Sequence, residues 1–299
     1  MLDLGNASVA QIVDDVQVFP LDHLLPSADR GRIAAERGWL APTWLASAGL
    51  APSSPPSRPG GDDGLILSFH SFVVRTAHHT VLVDTCLGND KERPTRPSWH
   101  RRRGDYLARL AASGLRPEDV DIVLCTHLHA DHVGWNTQLR DGRWVPTFPR
   151  ARYVMGRREV AHWQARATAE PALNHGSWAD SVAPILDGGR AVLVDDDHAI
   201  DDMLVLAPAP GHTPGGVVLH LAASRGRAMF CGDAVHHPVQ GIDPTWSSRF
   251  CADPLQAAAT RARLLDAAVE SACWFLPAHF AGPPFVRMRR MGGVVRPVA

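Results

Sequence analysis

The run Thr126-His127-Leu128-His129-Ala130-Asp131-His132 places three imidazoles and one carboxylate within six consecutive positions, 127–132. His and Asp are ligands that suit zinc and related divalent ions. Any single histidine in a chain with 16 of them is more often a surface or core residue than a ligand. Four ligand-type side chains at 127, 129, 131 and 132 are a different matter, and they predict a metal centre. The competing expectation is a site that keeps these residues without turning over a substrate. Three further positions carry the same residue types: His212 inside Pro210-Gly211-His212-Thr213-Pro214-Gly215, Asp233 inside Gly232-Asp233-Ala234, and His279 inside Pro277-Ala278-His279. Each is weak alone. Taken together, five His and two Asp are about what two metals of four or five ligands need, with one shared carboxylate and one bridging water.

Each of these positions follows an apolar run short and branched enough to be a buried strand. Asp121-Ile122-Val123-Leu124-Cys125 precedes the first cluster, Arg227 to Cys231 precedes Asp233, and residues 273–276, taken as the final strand, precede His279. Loops after strands can aim several ligands at one point without burying unpaired backbone. Other strands are expected over residues 10–19, 65–76, 80–84, 151–155, 191–195, 203–207 and 216–221. Residues 144–148 read as a strand or a lid. Helices are expected over 103–113, 157–167 and 253–272, the last with Asp253 at the N-cap and Pro254 at the first helical position. Residues 30–48 look helical, with Pro42 dividing them into two short helices. Residues 51–61, rich in Pro, Ser and Gly, read as an exposed loop. His78 and His79 fall at a hairpin tip and are expected to be solvated. Asp84, an acid at a strand end, could support a metal ligand or merely cap the turn. Arg101-Arg102-Arg103 reads as a solvated helix face, and the Arg-rich end after Gly282 as loosely packed.

Composition is that of a soluble globular chain, 45% hydrophobic and 20% charged, with mean hydropathy −0.11. A net charge of −1 gives no electrostatic case for nucleic acid or an anionic membrane as partner. The five cysteines are widely separated and lie mostly in apolar runs, which suits free thiols better than a disulfide framework. Neither an export signal nor a stretch as long as a membrane span is visible, so the expected location is cytoplasmic.

Taken together, the His-x-His-x-Asp-His run, His212 in its Gly-His-Thr-Pro-Gly turn, Asp233 in a Gly-Asp pair and His279 near the end make the chain resemble the metallo-β-lactamase superfamily of hydrolases. The likeness covers roughly residues 65–285. It implies an α+β fold, a four-layer αββα sandwich of two face-to-face sheets with helices outside. This would be one domain over 1–299, with an N-terminal excursion at about 20–60 able to cover a partner subunit or the site. It also implies a ligand assignment. His127, His129 and His212 would hold one metal and Asp131, His132 and His279 the second, with Asp233 shared between them. Asp84 matches the family's acid at the end of an early strand. The cofactors implied are two divalent metal ions, zinc first among them, with a bridging hydroxide as nucleophile and Asp131 helping to move the proton.

Within that superfamily the chain is most similar to the branch holding acyl-homoserine lactone lactonases and methyl parathion hydrolase-like enzymes. The lactonases carry a Tyr three residues after the bridging Asp. His236 stands there in this chain, as in the parathion-hydrolase type, and Val239-Gln240, Asp253 and Arg261 lean the same way. His236 is thus a candidate catalytic residue beside Asp131. The expected function is opening of an apolar lactone or carboxylic ester, a small molecule. The alternatives are an organophosphate or phosphoester hydrolase on the same site and a non-catalytic metal-binding protein. Trp135, Trp163, Trp178, Trp246, Phe250 and Phe280 are candidates for an apolar pocket wall, against an equal or better case for ordinary core packing. Arg or Lys beside the metals would favour anionic substrates instead.

Overall fold

The computed structural model describes residues 1–46 and 64–298. The loop expected over 51–61 and the end of the helical stretch expected over 30–48 lie outside the described residues. Contacts divide the chain into two compact units. The first holds Met1–Asp15, Phe69–Ala199 and Ala223–Arg225, and the second holds Val16–Ser68, Ile200–Ala222 and Gly226–Ala299.

In the first unit, the strands Thr80–Val83, Ile122–Cys125, Arg152–Gly156 and Ala191–Val194 are neighbours and all parallel. Strands covered on both faces read as unbroken apolar runs. This is why Ile122–Cys125, buried at every position, shows no alternation. The core of this unit gathers Leu82, Val123, Tyr106, Trp135, Tyr153, Met155, Val160 and Ile185. Helix Arg157–Ala169 contributes Glu159, Val160 and Trp163 to the interior, three residues at the i, i+1 and i+4 spacing of one helix face. A separate antiparallel pair, Thr137–Arg140 with Arg143–Pro146, accounts for the stretch read as a strand or a lid.

In the second unit, six strands run in chain order from Leu204–Pro208 to Val294–Val298. The parallel pair Gly226–Gly232 and Trp274–Pro277 is joined by helix Pro254–Ser271. Asp253 caps that helix, accepting from the backbone N–H groups of Leu255 (3.1 Å) and Gln256 (2.9 Å), with Pro254 following as expected. Its buried face is Ala257, Thr260, Arg261, Leu264, Leu265 and Ala268.

Four sequence expectations are corrected. The strand at Trp274–Pro277 is not the last one. Val286–Met291 and Val294–Val298 form an antiparallel hairpin whose first strand pairs with it. Val286, Met288, Val294 and Val295 are buried, so the Arg-rich end is packed rather than loose. The break in the N-terminal helical stretch falls at Glu36, between Arg30–Ala35 and Arg37–Leu40, rather than at Pro42. Arg101-Arg102-Arg103 is not on a helix. Arg102 is 12% exposed and donates to the buried Asp14 carboxylate at 2.7 Å, while only Arg101 and Arg103 face solvent.

Residues 20–46 fold within the second unit. Arg32 donates to the Ile242 carbonyl (2.8 Å) and pairs with Asp243, and Trp44 Nε1 donates to the Ala281 carbonyl (2.7 Å).

Candidate metal centre

The first unit carries His127, His129, Asp131 and His132. The buried strand Ile122–Cys125 ends at Thr126, and the chain turns into the short helix Ala130–Val133. This brings the rings of His127 and His132 to 4.0 Å between centroids, and His127 Nε2 to 3.0 Å from His129 Nδ1. Asp131 Oδ2 lies 3.9 Å from His132 Nε2.

The turn is held from several sides. Asp84 sits at the end of strand Thr80–Val83 with φ of 57°, in the left-handed region, in a loop that returns there at Cys86, Gly88 and Asp90. Such a run of positive φ persists only where surrounding structure fixes it. The Asp84 carboxylate accepts from the Thr126 N–H and from Thr126 Oγ1, both at 2.8 Å, and meets His132 Nδ1 at 2.9 Å. It therefore caps the turn and also orients the ring of His132, a candidate ligand. The close approach of two glycines makes room for this packing. A Cβ on Gly134 would fall 2.0 Å from the Leu87 carbonyl group, and one on Gly88 2.5 Å from the Gly134 oxygen.

Two supports escaped the sequence reading. Glu159, buried on helix Arg157–Ala169, accepts from the Leu128 N–H (3.1 Å) and from Trp163 Nε1 (2.7 Å). Asn174, at φ 51°, donates to the Leu128 carbonyl (2.7 Å) and accepts from the Ala130 N–H (3.0 Å). Both are lone polar residues in irregular or helical surroundings, with no spacing signal that points to them.

The second unit carries His212, Asp233, His236 and His279. Asp233 lies between three imidazoles. Its Oδ2 is 3.2 Å from His212 Nε2 and 3.3 Å from His236 Nε2, and its Oδ1 is 3.1 Å from His279 Nε2. His279 Nδ1 donates to the Ser68 carbonyl at 2.9 Å, and His212 Nδ1 lies 3.5 Å from Cys251 Sγ. Helix Pro254–Ser271 sets both turns. Thr260 Oγ1 donates to the Pro210 carbonyl (2.7 Å), and fully buried Arg261 donates through Nε to the Ala234 carbonyl (2.9 Å) and through Nη1 to the Pro244 carbonyl (2.5 Å). The Gln240 side chain accepts from the N–H groups of His236 (2.7 Å) and His237 (3.2 Å), and donates to the Trp246 carbonyl (2.7 Å).

Charge and burial divide these histidines. Burial lowers the His212 pKa, but the hydrogen bond and charge of Asp233, helped by Cys251, more than reverse this and raise it to about 9. Burial dominates at His236 and pushes it down to about 4 despite Asp233. His237 is also pushed down to about 4 by burial, and its Nε2 donates to the Trp44 carbonyl at 2.9 Å.

The donor chemistry fits divalent ions. In His132, His212 and His279 the protein engages Nδ1, with a carboxylate, a thiol and a carbonyl respectively, which orients the ring and presents Nε2 as the ligating atom. His127 Nδ1 lies 3.2 Å from Thr126 Oγ1, giving the same orientation. His78 and His79 stay at the hairpin tip, close to Thr76, away from any such arrangement. Of the candidate wall aromatics, Trp135 stacks on Tyr106 (5.4 Å) in the core and Phe280 packs with Phe275. Trp163 sets its ring edge against His129 at 5.3 Å, and Phe250 is 39% exposed.

Residues 69–274 match the metallo-beta-lactamase superfamily, and the chain belongs to that family. Two curated relatives, probable metallo-hydrolases of Mycobacterium bovis and Mycobacterium tuberculosis, are each 29% identical over 197 residues. Those matches cover 58% of this chain and 59% of each relative, so the chain spans about three-fifths of their length. Among solved structures, the hydrolase AbOPH of the beta-lactamase superfamily superposes with a TM-score of 0.77 at 20% identity, covering 99% of this chain and 95% of that one. A probable metal-dependent hydrolase from Staphylococcus aureus gives 0.78 at 16% identity, with 98% and 96% covered. AidC, a dizinc quorum-quenching lactonase solved in complex with a product, N-hexanoyl-L-homoserine, gives 0.76 at 16% identity, with 99% and 95% covered. The fold is accordingly the α+β metallo-β-lactamase fold expected from the sequence. Among the described residues, no helix is long and apolar enough to cross a membrane.

Proposed function

We propose that this chain is a binuclear metal-dependent hydrolase that opens a lactone or carboxylic ester. The observation that carries the reading is the donor set itself. The first unit supplies His127, His129, Asp131 and His132 as candidate ligands, and the second supplies His212, Asp233 and His279, five imidazoles and two carboxylates in all. Zinc is the expected metal for an all-nitrogen-and-oxygen set of this kind. Two such ions, when bound, supply Lewis acidity and a water made nucleophilic at neutral pH.

The protein's own groups have distinct parts in this reading. Asp233 turns Oδ1 and Oδ2 toward different imidazoles, which suits a carboxylate shared by two ions. Asp84 and the Ser68 carbonyl fix the rings of His132 and His279. His236, 3.3 Å from Asp233, would donate a hydrogen bond to the substrate's acyl oxygen. Asp131, less buried than its neighbours, takes up and passes on a proton. The fold shared with a dizinc lactonase supports the lactone class.

The test is metal content together with a hydrolysis panel on protein reloaded with zinc or manganese. The panel holds a homoserine lactone, an aryl lactone, a p-nitrophenyl ester and a phosphotriester. The expected result is two metals per chain and turnover of lactone or ester, both reduced in Asp233→Ala. Preferential phosphotriester turnover would replace the substrate class. Less than one metal per chain after reloading would sink the binuclear reading.

A further inference from the structure

The antiparallel pair Thr137–Arg140 with Arg143–Pro146 is joined by the two-residue turn Asp141-Gly142, with φ of 50° and 73°. Two consecutive positive φ values define the type I′ turn, whose twist fits a hairpin. The register sets Arg140 directly opposite Arg143, and Leu139 opposite Trp144. Side chains alternate along a strand, so Arg140, Arg143 and Val145 share one face. Trp144 turns to the other face, where its ring lies 3.7 Å from Lys91 Nζ. Like charges directly opposite each other on a hairpin are unfavourable. This chain nevertheless closes its turn with two arginines.

A third arginine joins them. Helix Ala183–Asp187 packs against strand Arg143–Pro146. The chain leaving that helix is closed by the N–H groups of Gly188, Gly189 and Arg190, which donate to the carbonyls of Pro184 (3.1 Å), Leu186 (3.0 Å) and Ile185 (3.1 Å). Arg140, Arg143 and Arg190 line one pocket of about 610 Å³, with Asp141, Val145, Pro146 and Pro149. The pocket lies wholly within the first unit, and no candidate metal ligand lines it. Its apolar wall is held from behind. Between the two prolines, the Thr147 N–H donates to the Asn136 carbonyl (3.0 Å) and the Phe148 N–H to Tyr153 Oη (3.2 Å). Several exposed arginines of this unit are matched by acids: Arg103, Arg109, Arg116 and Arg158 each pair with an Asp at 2.7–2.9 Å. Among the described residues, no carboxylate pairs with Arg140, Arg143 or Arg190, and Asp141, the one acid of the pocket, closes on none of them.

We propose that Arg140 and Arg143, with Arg190, form a binding site for the dianion of an organic phosphate monoester. This goes beyond the hydrolase reading and does not depend on it. Three guanidiniums against one carboxylate leave the pocket with a net charge of +2. A phosphomonoester carries about −2 at neutral pH and offers three strong acceptor oxygens. The planar fork of a guanidinium matches two such oxygens with parallel hydrogen bonds. Val145, Pro146 and Pro149 give an apolar surface that suits an organic body better than a bare ion. The volume falls within the range of about 300–1,000 Å³ usual for small-molecule pockets. Occupancy also removes the repulsion between Arg140 and Arg143, so the anion stabilises the hairpin that holds it.

The experiment is calorimetric titration at pH 8 with benzylphosphonate, a phosphomonoester analogue that has no ester bond to cleave. It compares wild type, the double variant Arg140→Gln with Arg143→Gln, Arg190→Gln and the control Arg103→Gln, each zinc-loaded and metal-stripped. Circular dichroism checks folding. The expected result is one site in both metal states, weakened about tenfold or more in the double variant and in Arg190→Gln, and unchanged in Arg103→Gln. Binding that needs zinc, or that survives in the double variant, belongs to the candidate metal ligands and overturns the proposal. Absent binding overturns it as well, and so does an equal loss in Arg103→Gln, which would reduce the effect to overall charge. Inorganic phosphate should bind less tightly than benzylphosphonate, and equal affinity would overturn the assignment to an organic phosphate. None of these outcomes depends on ester or lactone turnover.

Discussion

The carboxylate of Asp84 meets Nδ1 of His132 at 2.9 Å while holding both the N–H and the hydroxyl of Thr126 at 2.8 Å. One side chain thus fixes the start of the turn that carries the candidate ligands and the ring orientation of the last of them. Outer partners of this kind change metal affinity by about 10- to 100-fold when altered. Asp84→Asn keeps the shape but loses the charge and one acceptor. Zinc affinity, measured by competition with a chromophoric chelator, should fall by about that factor in the variant. Equal affinity in both proteins would mean that Asp84 serves the fold alone.

Glu159 is the corresponding support from the helix side, 1% exposed and accepting from two buried donors. Glu159→Leu would leave the Leu128 N–H and Trp163 Nε1 without their acceptor. Orphaned buried donors cost about 1–3 kcal/mol each, so urea unfolding should show a loss of about 2–6 kcal/mol. The near-ultraviolet signal of Trp163 should change as well. A loss below about 1 kcal/mol would show that the turn recruits other acceptors or water.

The candidate ligand set was legible in the sequence because metal chemistry accepts few residue types. The chain sets those types directly after short apolar runs, at Cys125, Cys231 and Pro277. The helix at Pro254–Ser271 was equally plain, since Asp253 and Pro254 mark its start. The supports of the site were not legible. Glu159, Asn174 and Arg261 act across the fold on residues 17 to 46 positions away, and a single polar residue carries no spacing to announce that. The C-terminal hairpin did carry a signal that went unused. Val286 and Met288 alternate with arginines and Gly292-Gly293 follows, the pattern of a half-buried strand running into a turn. The count of arginines masked the alternation.

Arg261 does in the second unit what Asp84 does in the first. Its Nε holds the Ala234 carbonyl beside Asp233, and Nη1 holds the Pro244 carbonyl. Arg261→Met keeps much of the apolar stem but takes the charged donor from the Ala234 and Pro244 carbonyls. Hydrogen bonds to charged groups contribute about 1.5–3 kcal/mol each, so a loss of about 3 kcal/mol or more is expected in urea unfolding. Asp253→Ala, which removes only the helix cap, should cost about 1 kcal/mol. The reverse ranking of the two variants would mean that the cap, not the guanidinium, sets the position of the helix.

Lys91 gives a prediction about pH. Its ammonium is fully enclosed, 3.7 Å above the Trp144 ring, with Nζ donating to Thr137 Oγ1 (2.6 Å) and the Asp180 carbonyl (3.0 Å). Burial, only partly opposed by the charge of Asp180, lowers its pKa from 10.5 to about 7. Between those two values the unfolded chain holds a proton on Lys91 that the folded chain has released. The unfolded state then binds more protons, so the Lys91 contribution to stability rises with pH across that window. Below about 7 both states are protonated, and the cost of burying the charge is present in full. For one proton the slope cannot exceed about 1.4 kcal/mol per pH unit. In Lys91→Met the slope disappears, while the Arg93–Asp180 pair at 2.6 Å remains in place. Urea unfolding of wild type and Lys91→Met at pH 7, 8 and 9 isolates this term, because every other titrating group is common to both. Wild type should gain on the variant at each step. A difference that stays constant with pH would show that Lys91 keeps its proton in the fold, held there by Asp180.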